Sequence, residues 1–157
     1  MCRMTVWYAL IVVLCNLAFA SENSRVVKKV NSTVSAINDS IKSGYYPFLE
    51  IGETSTSEGS PAELQIYFEG ERIILVNVEV GHETWLIEYS YYYYPNGKPM
   101  KYLEVIKDRP DNPPRKAIIY NESGNPVWKN TDLPEVSPQE LYNLFKNIQK
   151  VRMGLSH

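Results

Sequence analysis

Few residues of this chain are of a type that does chemistry. Among 157 residues there are two histidines, His82 and His157, and two cysteines, Cys2 and Cys15, both near the N-terminus. A zinc site needs several nitrogen or sulfur ligands at close spacing, and this inventory does not supply them. A Ser-His-acid arrangement would rest on His82 alone, which sits beside Gly81 and Glu83 in a turn-like stretch, and no G-x-S-x-G elbow accompanies it. A carboxylate pair for glycoside hydrolysis can be drawn from Glu79, Glu83, Glu88 and Glu104. Such a pair needs a cleft, and the sequence marks none around it. The expectation is no catalytic residue, no metal and no cofactor.

The residues best suited to recognition are aromatic. "YSYYYYPNG", residues 89–97, places five tyrosines ahead of an Asn-Gly turn. Strand side chains alternate between faces, so these rings must lie on both. Treating Asn96-Gly97 as a two-residue type I′ loop sets Tyr93 opposite Met100, Tyr91 opposite Tyr102 and Ile87 opposite Ile106. A four-residue loop at Gly81–Thr84 then pairs Val76 with Tyr89 and Val78 with Ile87. A three-residue loop at Glu69–Glu71 pairs Ile66 with Ile74. One apolar face results, which makes Tyr89, Tyr91 and Tyr93 core. Leu86, Glu88, Ser90, Tyr92 and Tyr94 are left on the other face, near Lys101 and Tyr67. Solvated tyrosines beside charge suit a sugar ring or a protein partner, so Tyr92, Tyr94, Lys101, Tyr67 and Glu88 are the candidate binding residues.

The elements that would position them read as helix, strands, helix. Val26, Val27, Val30, Val34, Ile37 and Ile41 recur at helical spacing and predict an amphipathic helix over 24–42 that stops near Gly44. Ser137-Pro138-Gln139-Glu140 is a capping box ahead of the stripe Leu141, Leu144, Phe145, Ile148 and Val151, with Gly154 as terminator. Strand patterns fall at Ala62–Phe68, Ile73–Val80, Thr84–Tyr94, Met100–Ile106, Arg115–Tyr120 and Val127–Lys129, and residues 45–51 offer an edge strand limited by Pro47. "TSTSEGSP" and "KDRPDNPP" are loops by composition. No link between strands is long enough for a helical crossover. The predicted fold is therefore α+β: an antiparallel meander of about six strands with an N-terminal and a C-terminal helix on one face.

Phe68, Tyr94 and Tyr120 precede glycine-containing turns at a constant spacing, an internal repeat of hairpins that must stack to bury their faces. Through Tyr94, Asn96, Gly97 and Lys98, and through Tyr120 and Gly124, the chain resembles small exported bacterial proteins with Tyr-turn-Gly-Lys hairpins, a variant of MORN-type repeats. That resemblance implies an extracytoplasmic β-meander and no enzyme.

Residues 1–20 carry Arg3, an apolar stretch from Val6 to Leu17 and the small-x-small ending Ala18-Phe19-Ala20, the anatomy of a cleaved secretory leader. The apolar stretch is shorter than the ~20 residues that span a bilayer. Lipidation at Cys15 would want a small residue where Leu14 stands. Cleavage leaves a single domain, 21–157, without cysteine and slightly more acidic than the net charge of −2 of the whole chain. No clustered basic excess points to nucleic acid. Asn31, Asn38 and Asn121 lie in N-x-S/T triplets, which matter only in a host that glycosylates exported proteins. The sequence implies a secreted or periplasmic, non-catalytic binding module for an envelope or extracellular protein or glycan. The alternatives are a small hydrolase of an envelope polymer and a structural protein without a ligand site.

Overall fold

The computed structural model describes residues 3–55, 61–82, 85–107 and 115–130, with Asn143 and Lys146; for 3–19, 51–55, 61, 82 and 85 the description is of backbone alone. These residues form helix α1 (Arg3–Lys42) and strands β1 (Phe48–Ser55), β2 (Pro61–Glu69), β3 (Arg72–His82), β4 (Trp85–Tyr93), β5 (Pro99–Ile106), β6 (Lys116–Tyr120) and β7 (Pro126–Lys129). Strand order follows chain order and every pairing is antiparallel, so the sheet is a seven-stranded meander. Among the described elements α1 is the single helix, where one at each end was expected. The expected C-terminal helix lies outside the described residues except for Asn143 and Lys146, which are helical.

The helical stripe behaves as its spacing predicts. Val30, Val34 and Ile37 are buried, with Val26, Val27 and Ile41 partly so. At roughly 1.5–3 kcal/mol for each fully buried aliphatic side chain, docking on the sheet outweighs the poor helix propensity of valine and isoleucine. Gly44, at φ 73°, ends the helix. The Tyr45 N–H donates to Ser40 O and the Gly44 N–H to Ile41 O, both at 2.9 Å, the paired bonds of a Schellman terminus.

Hairpin turns decide the register, and here the sequence reading needs correction. Tyr94 N–H donates to Lys98 O, and Gly97 N–H to Tyr94 O, both at 2.9 Å. The loop is therefore Pro95-Asn96-Gly97, with Gly97 alone at positive φ, and not a two-residue type I′ turn. Pro95 fixes φ near −65°, which suits the first central position of a type I turn and not of a type I′ turn. Asn121–Asn125 repeats this loop, with Gly124 in the role of Gly97. Each of three hairpins also carries one extra residue past its turn: Ile74, Met100 and Val127. Tyr93 consequently meets Pro99, although Tyr91–Tyr102 and Ile87–Ile106 pair as expected. Two other registers slip by two residues, so that Ile66 meets Val76 and Val80 meets Ile87.

The larger correction concerns the faces. α1 lies on the face of Leu75, Tyr92, Tyr94 and Ile119, and the bulge residues Ile74, Met100 and Val127 lean into the same cluster. Tyr91, Tyr93 and Tyr102 belong to the opposite face, which is also buried, with Val76 and Ile118 fully so. There Glu104 accepts a hydrogen bond from Tyr102 Oη at 3.3 Å and pairs with Arg115 at 3.2 Å, which accounts for a carboxylate among tyrosines.

Candidate functional site

α1 runs across the strands and divides its face of the sheet. Its Lys29 pairs with Glu122 in the β6–β7 turn at 2.9 Å. Farther along, Asn31 Oδ1 accepts from Lys101 Nζ, and Asn38 Oδ1 from Tyr92 Oη, both at 2.8 Å. Tyr94 Oη donates to Tyr120 O at 2.8 Å, and Asn96 Nδ2 to Glu122 O at 3.0 Å. These last two bonds join equivalent positions of successive hairpins, so the internal repeat is stitched turn to turn.

Three of the five candidate residues are therefore structural. Tyr92 is 4% exposed and Tyr94 is buried beside it. Burial pushes both phenols up to about 12; for Tyr92 the Asn38 hydrogen bond opposes that rise. Lys101, partly buried and bonded to Asn31, has its ammonium pulled below the usual lysine value by desolvation. The triplet asparagines are engaged as well. Asn31 and Asn38 hold α1 to the sheet, and Asn121 Oδ1 accepts the Ser123 and Asn125 N–H groups at 3.0 Å.

Glu88 stands on the other side of the divide, in a polar field built from four strands; Tyr67, in the row of Leu75 and Tyr92 and packed partly against the α1 cluster, borders that field. One cross-strand row runs Glu50, Gln65, Asn77, Ser90; the next runs Glu63, Glu79, Glu88. Tyr67 Oη donates to Gln65 Oε1 at 3.2 Å, and Gln65 Nε2 to Glu50 Oε1 at 3.3 Å. Ser90 Oγ donates to Glu88 Oε1 at 3.1 Å. Lys107 reaches Glu88 at 3.1 Å and also bonds Glu79, so two of the four carboxylates weighed for hydrolysis share one ammonium. Burial lowers the Lys107 pKa, but those hydrogen bonds outweigh it and leave the group above its ordinary value. Tyr67 is raised by burial first, then by Glu88, Glu50 and Glu79.

Two residues in or beside this field were not among the candidate binding residues. Phe48 is 56% exposed and its ring lies 5.6 Å from that of Tyr67, tilted by 32°. The Phe48–Tyr67 pairing across β1 and β2 was the signal for it, available only once the edge strand had a register. Asn77 lies between Gln65 and Ser90, and its Oδ1 is enclosed without a hydrogen-bond partner among the described residues.

Among the described residues no group of three or more His, Cys, Asp or Glu side chains is placed to hold a metal ion, and no helix is long and apolar enough to cross a membrane. Glu83 and the 108–114 stretch lie outside the described residues, as does the side chain of His82. Comparison with protein-family models, with curated proteins and with solved structures finds no match to this chain.

Proposed function

We propose that this chain is an exported, non-catalytic binding module that takes a glycan on the polar field beside α1. The observation that carries the reading is the juxtaposition of the Phe48–Tyr67 ring pair with the Gln65, Asn77 and Glu88 side chains. Sugars present apolar C–H faces and hydroxyl edges together. An aromatic plate serves the first, and amide and carboxylate oxygens on a flat sheet serve the second. The enclosed Asn77 oxygen adds a driving force, because an unpaired buried acceptor costs about 1–3 kcal/mol and a ligand hydroxyl that draws the amide outward relieves it. The field holds three carboxylates, Glu50, Glu79 and Glu88, against one ammonium, Lys107, which Glu79 and Glu88 share, so it favours neutral or amino sugars over uronic acids.

Export rests on the leader-like residues 1–20. The test is a panel of neutral, amino and uronic-acid glycans, run with wild type, Phe48→Ala/Tyr67→Ala and Tyr92→Phe. Retention of a neutral or amino glycan by wild type and Tyr92→Phe, and its loss in the double variant, is the expected result. Binding that survives the double change, or no glycan retained by wild type, contradicts the proposal.

A further inference from the structure

The opposite side of α1 holds a different kind of concavity. Between the helix and the turn ends of the sheet lies a cavity of 320 Å³, roofed by Val30 and Ile37 and floored by Ile74, Tyr94 and Met100. Ile74 and Met100 are bulge residues, and a bulge sharpens the local twist of its strand. The hairpin ends therefore curl relative to the straight helix and leave a gap between them.

Its inner lining is mostly apolar, and two of the hydroxyls there are already engaged. Thr33 Oγ1 already donates to Lys29 O at 3.0 Å, and Tyr94 Oη to Tyr120 O. Water in such a space finds few partners, whereas an apolar guest gains contact with the aliphatic walls. The mouth is charged but neutral in sum: Lys29 pairs with Glu122, and Arg72 with Glu69. An anionic head group would have to displace a carboxylate from its cation. A zwitterionic or uncharged head would not.

We infer that this cavity binds the hydrocarbon chain of a single-chain amphiphile whose head group is zwitterionic or uncharged. The volume falls at the small end of the ~300–1,000 Å³ range of ligand pockets, which suits one chain and not two. The site does not depend on the glycan reading, since α1 separates the two.

The test uses the full chain and three probes below their aggregation concentrations: decyl phosphocholine, decanoate and phosphocholine alone. Methyl resonances of Ile74 and Met100 report occupancy. Val30→Phe fills the cavity, and Thr33→Trp obstructs its mouth from an exposed helix position should the first variant fail to fold. Decyl phosphocholine should shift both methyl signals in saturable fashion and bind several-fold more tightly than decanoate, with phosphocholine inert. Each folded variant should weaken binding by about tenfold or more, equivalent to ~1.4 kcal/mol. The inference is overturned if wild type shows no saturable shift, if decanoate binds as tightly as the zwitterion, or if both folded variants bind as wild type does.

Discussion

Leu75 and Gln65 project from the same face of neighbouring strands, yet one is closed beneath α1 and the other lies in a polar field whose bonds stay within the sheet. The same contrast separates Tyr92 from Glu88 on one strand. What differs is the position along the strand relative to a crossing helix. Near the turns the face is Leu75, Tyr92, Tyr94 and the bulge residues. One row farther on it becomes Gln65, Asn77 and Ser90. A sheet face is thus not one environment: its near half is packed beneath α1 and its far half is a half-buried polar field.

The largest expected effect separates the two halves by stability. Tyr92→Ala should cost about 3–5 kcal/mol, the range for truncating a buried aromatic, whereas Gln65→Ala should stay within about 0.5 kcal/mol. Urea titration distinguishes them, and equal losses would erase the comparison. Next comes alkaline pH. Burial raises the Tyr91 and Tyr92 phenols from 10.0 to about 12, so their protonated forms are favoured in the folded state. Their contribution is complete below pH 10, falls between pH 10 and 12, and is gone above. The slope in that window should be roughly 1.4 kcal/mol per pH unit for each group. Tyr92→Phe should remove one share of it, seen as a flatter plot of unfolding free energy against pH.

Smaller effects sharpen the picture. Tyr92→Phe and Asn38→Ala should each cost about 1 kcal/mol at neutral pH and be strongly non-additive, because they share one hydrogen bond. Gly44→Ala should cost about 1–2 kcal/mol through backbone strain alone, since nothing lies within 4 Å of an added Cβ. Asn77→Val should instead raise the urea midpoint, by about 1 kcal/mol of stability, while weakening glycan retention. A stabilised variant that binds normally would show that Asn77 has no part in recognition.

The strands, the meander and the stop at Gly44 were legible because turn chemistry and period-2 patterns are local. The faces were not. Tyrosines occupy both sides of β4, so hydrophobicity could not choose between them, and both sides proved to be core. Register errors added to this. Pro95 converts an apparent type I′ turn into a three-residue loop, and the extra residues Ile74, Met100 and Val127 carry no signature that separates them from ordinary strand positions. The solvated reading failed for Ser90, Tyr92 and Tyr94, which are buried, and held only in part for Asn77 and Glu88, which are half-buried. Phe48 was hidden by the uncertain edge strand, and Asn77 looked like an ordinary polar surface residue.

The claim on which the account turns is that α1 covers the turn-proximal half of this face and not the far half. In a Cys2→Ser/Cys15→Ser background, Leu75→Cys and Gln65→Cys give single thiols on neighbouring strands, and the measurement is their rate of modification by a maleimide under native conditions. Gln65→Cys should react at close to the rate of an unfolded control. Leu75→Cys should react about a hundredfold more slowly, as expected if exposure requires a local opening of roughly 3 kcal/mol. Equal, fast rates at the two positions would contradict the account, because α1 would then not lie on this face.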